Sequence, residues 1–572
     1  MIKMQRFLIV LSFAFLATAC DQAQSDVASN EGDAPHMMVA VANPLAAEAG
    51  MEVLRAGGSA IDAAITVQAV LGLVEPQSSG PGGGAFLLYF DAETGEVQAY
   101  DGREMAPRAT RPDHFLGPDG TPRGFAEVVA GGQSVGVPGV MAMLEMVHDR
   151  HGTLPWADLF GQAAMLADEG FAISPRLRYF MDLTPWTRAM PDPQAYFSDE
   201  DDNLLNVGDT LRNPAYGQTM RLLAQEGAGV LYDGVLAEAI IDAVQNAPVN
   251  QGAMTLDDLA AYEALEREVI CRPYRTYQVC GMPPPTSGGV TILQILSLLE
   301  PYDLATVGPG STEAVHLITE ASRLAFADRD MFIADADFVA VPTEGLLSTN
   351  YLQVRAALID PAQAMGSADA GNPWPDNIPP RAPDLTPDVP GTSHVAIVDA
   401  AGNALTMTTT VESIFGSNVM VGGFFLNNQL TDFSFEPQRG GYPVANAPAP
   451  GKRPRSAMAP TMIFDEEGTL FAIIGSGGGS RIPLYVVQSI IAIIDWDMTM
   501  QDALNLPHHT NRNGATELEA GTELEALTPA LEAMGHEVRT ARMNSGTQGI
   551  RIVDGVMDGG ADPRREGVVL TE

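Results

Sequence analysis

Residues 391–411 read GTSHVAIVDAAGNALTMTTTV, two alternating segments on either side of a short polar turn. The segments before and after the turn have the period-two pattern of β-strands, and Asp399 to Asn403 supplies the turn-forming residues. The pattern therefore predicts a β-hairpin. If the hairpin is symmetric about Ala401, Thr392 faces Thr410, because cross-strand neighbours have Cβ atoms only about 5 Å apart.

The segment before this hairpin, residues 366–390, is rich in Pro, Asp, Asn and Gly and has no helical or strand period. A structureless stretch of this length is uncommon inside a compact domain. A chain break at its end, between Gly391 and Thr392, would account for it.

A break at this bond would give Thr392 a free α-amine. A threonine hydroxyl needs a base to act as a nucleophile, and a terminal amine, which titrates near about 8, can serve. Before the break, the same hydroxyl can attack the carbonyl of Gly391, which leaves room for the approach, and the resulting ester would hydrolyse. Thr392 and Ser393 would also begin an ordinary β-strand, so these residues alone leave both interpretations open.

The chain before the hairpin mixes helical and strand patterns. Helices are predicted over 45–56 and from Ser59, acting as a cap, to residue 73. A glycine-rich turn leads into a predicted strand over 85–90, and residues 130–340 are mostly helical by their apolar spacing. No repeat of fixed period stands out.

Residues 1–20 have the features of an export signal. Lys3 and Arg6 precede an apolar run that is too short to span a bilayer. The run ends in Leu16-Ala17-Thr18-Ala19-Cys20, which resembles a bacterial lipobox, so we expect lipidation of Cys20; ordinary signal cleavage is the alternative. Residues 21–37 are then predicted to be a flexible tether, and the protein to be periplasmic and lipid-anchored at the cell-envelope membrane.

Acidic residues outnumber basic ones, with 72 Asp and Glu against 31 Lys and Arg and a net charge of −41. Such a surface repels nucleic acid and anionic lipid. We therefore expect no nucleic-acid partner, and contact with a membrane only through the lipid anchor.

Two cysteines remain after the signal segment. Cys271 and Cys280 flank a short stretch whose spacing suits two strands of a hairpin. In the oxidising compartment that export implies, we expect a disulfide between them rather than a reactive thiol or a metal site.

A series of motifs resembles the γ-glutamyltransferases (glutathione hydrolases), a family of N-terminal-nucleophile (Ntn) hydrolases. The motifs are 101–107 (DGREMAP), 282–289 (MPPPTSGG), 392–394 (TSH), 426–429 (LNNQ), 432–434 (DFS), 452–454 (KRP), 475–481 (GSGGGSR) and 562–567 (DPRREG). The likeness covers nearly the whole chain after the tether.

The resemblance implies an α+β fold, a four-layer αββα sandwich made from one precursor. The large subunit would comprise residues 38–391 and the small subunit residues 392–572, and the two would stay together. Thr392 would carry a γ-glutamyl group, as an ester, from glutathione or a related amide to water or an amino acid. No metal or organic cofactor is implied.

The resemblance also implies roles for residues that bind the substrate. Arg103 would clamp the α-carboxylate, which a planar guanidinium fork suits. Gln429 and Asp432 would accept hydrogen bonds from the α-ammonium, and the hydroxyl of Ser456 would help to bind the carboxylate.

Gly478 and Gly479 would form the oxyanion hole, acting with the catalytic threonines. The same glycine run could suggest a phosphate loop, but it lacks the Gly-Lys-Ser/Thr ending. His508-His509 could suggest zinc. Adjacent histidines point apart in regular structure and no carboxylate motif lies nearby, so a structural role is expected.

Three features depart from the family pattern. Glu412 stands where the family usually has an asparagine; its carboxylate would still bind an ammonium but would repel a misplaced carboxylate. Ala457 replaces the second serine of the carboxylate-binding pair. The stretch from Asp432 to Ser456 is short compared with members that have a lid loop, so larger substrates and more water should enter.

These departures leave two other interpretations open. Glutaryl-type cephalosporin acylases share the fold and nucleophile but take a side chain that lacks the α-amine. Gln429 and Asp432 would then lose their partner, which argues against this alternative. A non-catalytic envelope lipoprotein that only binds peptides or partners would never cleave itself, and the intact Gly391-Thr392 and Thr410 argue against it.

Overall fold

The computed structural model describes residues 36–374, 380–386 and 391–572. The expected signal segment with Cys20 and the expected tether up to residue 35 lie outside the described residues. Within the described ranges, no helix is both long and apolar enough to cross a bilayer.

The two chain ends of the described domain pair with each other. The backbone N–H groups of His36 and Met37 donate to the carbonyl oxygen of Glu572 at 2.7 and 2.9 Å. These two residues were expected to belong to the tether, but they are held by a partner more than 500 positions away in the sequence. No local pattern could have indicated that contact.

Two antiparallel β-sheets form the centre of the protein. Their strands, numbered in chain order, are β1 Met38–Val41, β2 Gly84–Phe90, β3 Val97–Gly102, β4 Leu265–Arg267, β5 Ile270–Tyr274, β6 Tyr277–Gly281, β7 Ser393–Val398, β8 Ala404–Thr410, β9 Thr461–Phe464, β10 Leu470–Gly475, β11 Gln548–Val553, β12 Val556–Ala561 and β13 Val568–Thr571. The seven-stranded sheet has the order β13-β1-β7-β8-β2-β3-β4, and the six-stranded sheet has the order β12-β11-β10-β9-β6-β5.

Helices cover the outer face of each sheet. Those of eight or more residues are α1 Pro44–Arg55, α2 Ala60–Val74, α3 Val140–His151, α4 Gly161–Glu169, α5 Pro175–Leu183, α6 Pro214–Glu226, α7 Val235–Gln245, α8 Gly288–Leu299, α9 Thr312–Phe332, α10 Thr349–Ala356 and α11 Ile482–Ile494. Helices α1, α2 and α3 contact the seven-stranded sheet, α8 and α11 contact the six-stranded sheet, and the sheets contact each other. The predicted four-layer αββα sandwich is confirmed.

Shorter elements join these layers. The short helices are Phe125–Val128, Trp186–Ala189, Pro191–Phe197, Leu256–Ala260, Thr343–Leu346, Met500–Asn505 and Thr528–Ala533. Small ribbons are formed by Phe171–Ala172 with Thr210–Leu211, Met420–Val421 with Phe424–Phe425, Gln438–Arg439 with Tyr442–Pro443, and His509–Thr510 with Thr516–Glu519 and Val538–Ala541.

Side chains of the seven-stranded sheet alternate between two apolar cores, as the period of a strand requires. On β7, Val395 and Ile397 pack into the core between the seven-stranded sheet and helices α1, α2 and α3. Ala396 and Val398 pack into the core that the two sheets share with helices α8 and α11. Both faces of this sheet are therefore buried.

Strands β7 and β8 form the predicted hairpin. Their register pairs Ser393 with Thr409, which places Thr392 level with Thr410 at the open end. The symmetry about Ala401 is confirmed, because a short turn fixes the register of the strands that it joins.

Two local predictions also have a counterpart in the structure. Ser59 caps α2 by accepting from the N–H of Asp62, whose side chain accepts from the N–H of Ser59 in return. Cys271 and Cys280 face each other on β5 and β6 and form a disulfide with an S–S distance of 2.11 Å.

Candidate active site

A cavity at the open end of the β7–β8 hairpin brings together residues from distant parts of the chain. It is lined by Arg103, Thr392, Thr410, Glu412, Gln429, Asp432, Ser456, Ala457, Met458, Gly479, Ser480 and Ile482. These include nearly all the residues that the sequence assigns to a site. Gly478 and Gly391 are not part of the lining but are the chain neighbours of Gly479 and Thr392.

The hydroxyl oxygens of Thr392 and Thr410 lie 3.2 Å apart, and both side chains are buried. Thr410 Oγ1 donates to the carbonyl oxygen of Gly391 at 2.5 Å and accepts from the N–H of Glu412 at 2.8 Å. A hydroxyl has one proton to donate, so Thr392 is the donor in the contact between the two threonines. This arrangement polarises the carbonyl of the bond that the sequence predicts to break.

Gly391 packs against the backbone that follows Thr410. A Cβ atom at this position would lie 2.3 Å from the carbonyl oxygen of Glu412. Because side-chain carbons do not approach oxygen so closely, only glycine fits here without a shift of one segment. The local packing thus explains the residue type at the expected cleavage site.

The glycine run lies in the turn between β10 and α11. Gly478 and Gly479 have φ angles of +136° and +62°, which glycine adopts at little cost. The turn continues as the 3₁₀ segment Gly479–Arg481 into α11, so its first N–H groups have no acceptor within the helix. Such N–H groups can stabilise a negatively charged oxygen.

The buried Arg103 forms an ion pair with the partly buried Asp432, with Arg103 Nη2 2.6 Å from Asp432 Oδ2. The guanidinium also donates to the carbonyl oxygens of Pro454 at 3.1 Å and Arg455 at 2.8 Å. Gln429 Nε2 donates to Asp432 Oδ2 at 2.6 Å. One wall of the cavity therefore offers a fixed cation beside a fixed anion.

The side-chain amide oxygen of Gln429 can still accept a hydrogen bond. Gln429 Oε1 is buried and accepts no hydrogen bond within the described part of the protein. A buried amide oxygen without a donor costs free energy of about 1–3 kcal/mol. A ligand that brings an N–H donor, such as an ammonium, would satisfy it.

Glu412 has an unusual backbone for its residue type. Its φ angle is +77°, in the left-handed region that favours glycine and asparagine. Its side chain is buried, and Oε2 accepts a short hydrogen bond from Asn428 Nδ2. Asn428 lies within the LNNQ motif, but the resemblance assigned no role to it.

Ser456 is fixed by its own backbone and by the loop of the MPPPTSGG motif. Its Oγ accepts from the N–H of Met458 at 3.0 Å. Its carbonyl oxygen accepts from the N–H and the hydroxyl of Ser287 at 2.8 and 2.7 Å. None of these contacts uses the Ser456 hydroxyl as a donor, so it can donate to a ligand in the cavity.

A second acidic group lies beneath Arg103. Glu104 is fully buried, and Arg103 Nη1 is 3.6 Å from its Oε2. Burial raises the pKa of Glu104 to about 8, although the nearby arginine opposes the shift. Glu104 follows Arg103 in the DGREMAP motif, but the resemblance assigns it no role and no local pattern indicates its burial.

The adjacent histidines have separate surroundings. His508 Nε2 contacts the hydroxyl of Ser545 at 2.9 Å and lies 3.9 Å from Asp562 Oδ2. The backbone N–H and carbonyl of His509 bond to Gln488. In the described ranges no cluster of three or more His, Cys, Asp or Glu side chains has the arrangement of a metal site.

The chain is similar to known proteins over most of its length. Residues 46–571 match the family described as Gamma-glutamyltranspeptidase. The chain is 36% identical to a glutathione hydrolase proenzyme of Bacillus subtilis, over 93% of this chain and 91% of that one. It is 35% identical to an acylase (ACY 1) proenzyme of a Pseudomonas species, over 93% and 92%. The crystal structure of a cephalosporin acylase from Bacillus halodurans superposes with a TM-score of 0.82 and 27% identity, covering 94% and 96% of the two chains.

Proposed function

The chain belongs to the gamma-glutamyltranspeptidase family of Ntn hydrolases, and from this membership we propose that it is a γ-glutamyltransferase and glutathione hydrolase. In this proposal the precursor cuts itself between Gly391 and Thr392 into a large subunit, 38–391, and a small subunit, 392–572. Thr392 is then the nucleophile that carries the γ-glutamyl group.

The first reaction is the cleavage of the chain's own peptide bond. Thr392 Oγ1 attacks the carbonyl carbon of Gly391, the C–N bond breaks as the acyl group moves to oxygen, and the hydroxyl proton ends on the released nitrogen. Water then hydrolyses this ester, leaving a carboxylate on Gly391 and a free α-amine on Thr392. The hydrogen bond from Thr410 to the Gly391 carbonyl oxygen supports this step, since it stabilises the negative charge that develops there.

The second reaction uses the new amine. It accepts the proton of the Thr392 hydroxyl as the oxygen attacks the γ-carbonyl of the donor. The N–H groups of Gly478 and Gly479 hold the oxyanion, and the proton passes to the departing amine. Water, or the amine of an acceptor amino acid, then attacks the γ-glutamyl ester and frees Thr392.

Recognition of the donor rests on its zwitterionic end. An α-amino acid brings a carboxylate and an ammonium that are separated by a single carbon. The carboxylate suits Arg103 and Ser456, whereas the ammonium suits Asp432, Glu412 and the unbonded Gln429 Oε1. The observation that carries the proposal is this buried amide oxygen beside Asp432, because the α-ammonium of a γ-glutamyl substrate can donate a hydrogen bond to it and a glutaryl chain has no such group.

A glutaryl-type acylase is the second candidate. It is favoured by the 35% identity to the acylase proenzyme and by the superposition on the cephalosporin acylase. A glutaryl group has a carboxylate but no ammonium. It would therefore leave Gln429 Oε1 without a hydrogen-bond donor and would bring no positive charge to Asp432, which is why we place this function second.

The test compares two donors that differ only in the α-amine. We would measure kcat/KM for γ-glutamyl-4-nitroanilide and glutaryl-4-nitroanilide with the parent and with Asp432→Asn. The proposal predicts that the parent prefers the γ-glutamyl donor by at least about 10²-fold, and that the variant loses mainly that activity. A parent that prefers the glutaryl donor would establish the acylase instead.

The location of the protein is a separate proposal, since it depends on residues outside the described ranges. We propose export to the periplasm and lipid attachment at Cys20. The mature parent should be found in the membrane fraction, and the Cys20→Ala variant should be found in the soluble fraction. Equal partition of both forms would argue for ordinary signal cleavage.

A further inference from the structure

The backbone carbonyl oxygen of Thr392 accepts a hydrogen bond from a buried arginine. Arg565 Nη1 donates to the Thr392 carbonyl oxygen at 2.5 Å, and Nε donates to the carbonyl oxygen of Ser545 at 2.7 Å. Burial lowers the pKa of Arg565 to about 9, which still leaves it charged at neutral pH. The contact is therefore a charge-assisted hydrogen bond, stronger than a neutral one.

The space for this guanidinium is made by two glycines. A Cβ atom at Gly477 would lie 2.3 Å from Arg565 Nη2 and 2.3 Å from the Thr392 carbonyl oxygen. A Cβ atom at Gly546 would lie 2.0 Å from Arg565 Nε. Larger residues at either position would displace the side chain, so the slot is built for a group of this shape.

The side chain of the next residue, Ser393, is hydrogen-bonded to a different residue. Ser393 Oγ donates to Glu75 Oε2 at 2.8 Å, and Arg176 Nε donates to Glu75 Oε1 at 3.2 Å. Glu75 and Ser393 are both buried. The N–H of Arg176 in turn donates to Glu566, the neighbour of Arg565, at 2.9 Å. The two anchors therefore belong to one connected network.

The loop that begins at Glu75 also holds the strand end that carries Thr410. The carbonyl of Ser78 accepts from the N–H of Val411 at 3.1 Å, and that of Gln77 accepts from the N–H of Phe415 at 3.3 Å. The loop from Glu75 to Ser78 is thus hydrogen-bonded to Ser393, which follows Thr392, and to Val411, which follows Thr410. A shift of this loop would move them relative to each other.

Cleavage creates a need for such anchors. A free chain end normally frays unless contacts hold it, whereas a displacement of about 1 Å at a reacting group can cost a factor of about 10² in rate. Once the bond before Thr392 is cut, the strand hydrogen bonds of β7 begin only at Ser393. The contact of Arg565 with the Thr392 carbonyl and that of Glu75 with the Ser393 hydroxyl do not involve the bond that is cut.

We propose that Glu75 and Arg565 are positioning residues, which hold the new N-terminus so that the Thr392 hydroxyl stays aligned with its substrate. Glu75 acts through the Ser393 hydroxyl, and Arg565 acts through the Thr392 carbonyl. The inference rests on the proposed role of Thr392 as nucleophile. It adds that the large subunit, which supplies Glu75 and Arg176, fixes the terminus of the small subunit.

The experiment is a double-mutant cycle on the mature enzyme. It compares Glu75→Ala, Ser393→Ala and the double variant, with Ser393→Thr as the matched control that keeps the hydroxyl. For each we would measure kcat and KM for the γ-glutamyl anilide, divided by the fraction of chains that begin at Thr392, and the thermal unfolding midpoint.

A positioning role predicts that kcat falls about tenfold in each single alanine variant while KM stays within about twofold. The double variant should be no slower than the slower single variant, because both remove the same contact. Ser393→Thr should restore kcat. Arg565→Lys, which keeps the charge but not the planar fork, should also lower kcat at unchanged KM.

Three results would overturn the inference: multiplied effects in the double variant, a Ser393→Thr enzyme as slow as Ser393→Ala, or a change confined to KM. If Glu75→Ala does not fold, the Ser393 pair decides alone. The parent's own turnover tests the proposed function separately. A parent cleaved at Thr392 that lacks turnover would refute the function, and the self-cleavage rates of the Ser393 pair would then test the anchoring.

Discussion

The hydroxyl of Thr410 donates a hydrogen bond of 2.5 Å to the carbonyl oxygen of Gly391. The two residues are 19 positions apart and meet because the hairpin returns the chain to its starting point. Thr410 therefore contacts the group that would accept negative charge in the proposed self-cleavage. After the proposed cut, its hydroxyl would lie beside that of Thr392.

This contact predicts the effect of removing the hydroxyl. Thr410→Ala should slow self-cleavage by about 10²-fold, the usual cost of one lost donor to a developing oxyanion. Thr410→Ser keeps the hydroxyl and should process within a few fold of the parent. The measurement follows the uncut band with time after synthesis is stopped. Equal rates for alanine and serine would show that the hydroxyl takes no part.

The space around Gly391 gives a second prediction. Gly391→Ala would place Cβ 2.3 Å from the Glu412 carbonyl oxygen, so the segment must move and the attack geometry is lost. We expect mostly uncut protein at times when the parent is fully cut. Gly161→Ala is the control, since a Cβ there meets nothing within 4 Å. Normal processing of Gly391→Ala would mean that the approach is less restricted than the packing indicates.

The positive φ angle of Glu412 predicts that asparagine at this position would stabilise the protein. A residue other than glycine held at positive φ costs of order 1–3 kcal/mol, and asparagine tolerates this region better. Glu412→Asn should raise the free energy of unfolding by about 1 kcal/mol, measured by urea titration. Glu412→Gln removes the charge but keeps an unfavourable residue at positive φ, so its free energy of unfolding should not rise.

The same pair of variants separates strain from binding. If the Glu412 carboxylate helps to hold the donor ammonium, both variants should raise KM for the γ-glutamyl anilide to a similar extent. If the glutamine variant is as stable as the asparagine variant, the strain argument is wrong. If KM is unchanged in both, Glu412 does not contact the donor.

Glu104 predicts a dependence of stability on pH. Burial raises the pKa of Glu104 to about 8 from the ordinary value of 4.5. Between these values the unfolded chain releases the proton and the folded chain keeps it, so this group makes the protein less stable as pH rises. In Glu104→Gln that contribution is absent, and stability should fall less between pH 4.5 and 8. Parallel curves for the two proteins in urea titrations would contradict the shift.

The hairpin and the paired threonines could be predicted from the sequence because they depend on local spacing. Strand alternation and a short turn set the register, and the register sets which residues face each other. The capping of α2 by Ser59 was predictable for the same reason. The residues that we propose to bind substrate were identified through motifs whose order along the chain resembles a known family.

The rest depends on contacts between segments far apart in sequence. Glu75 meets Ser393 across 318 positions, and Arg565 meets Thr392 across 173. Neither pair has a local pattern that would indicate it, since one comes from a helix end and the other from a loop near the C-terminus. The positive φ of Glu412 was also beyond prediction, because glutamate is not typical of that conformation.

We propose that Thr392 cuts the chain and becomes its new terminus. This proposal is tested by the intact mass and N-terminal sequence of the purified parent beside Thr392→Ala. We expect two chains in the parent, one of which begins at Thr392, and a single uncut chain in the variant. A folded parent that remains one chain, or a variant that is cut at the same bond, would contradict it.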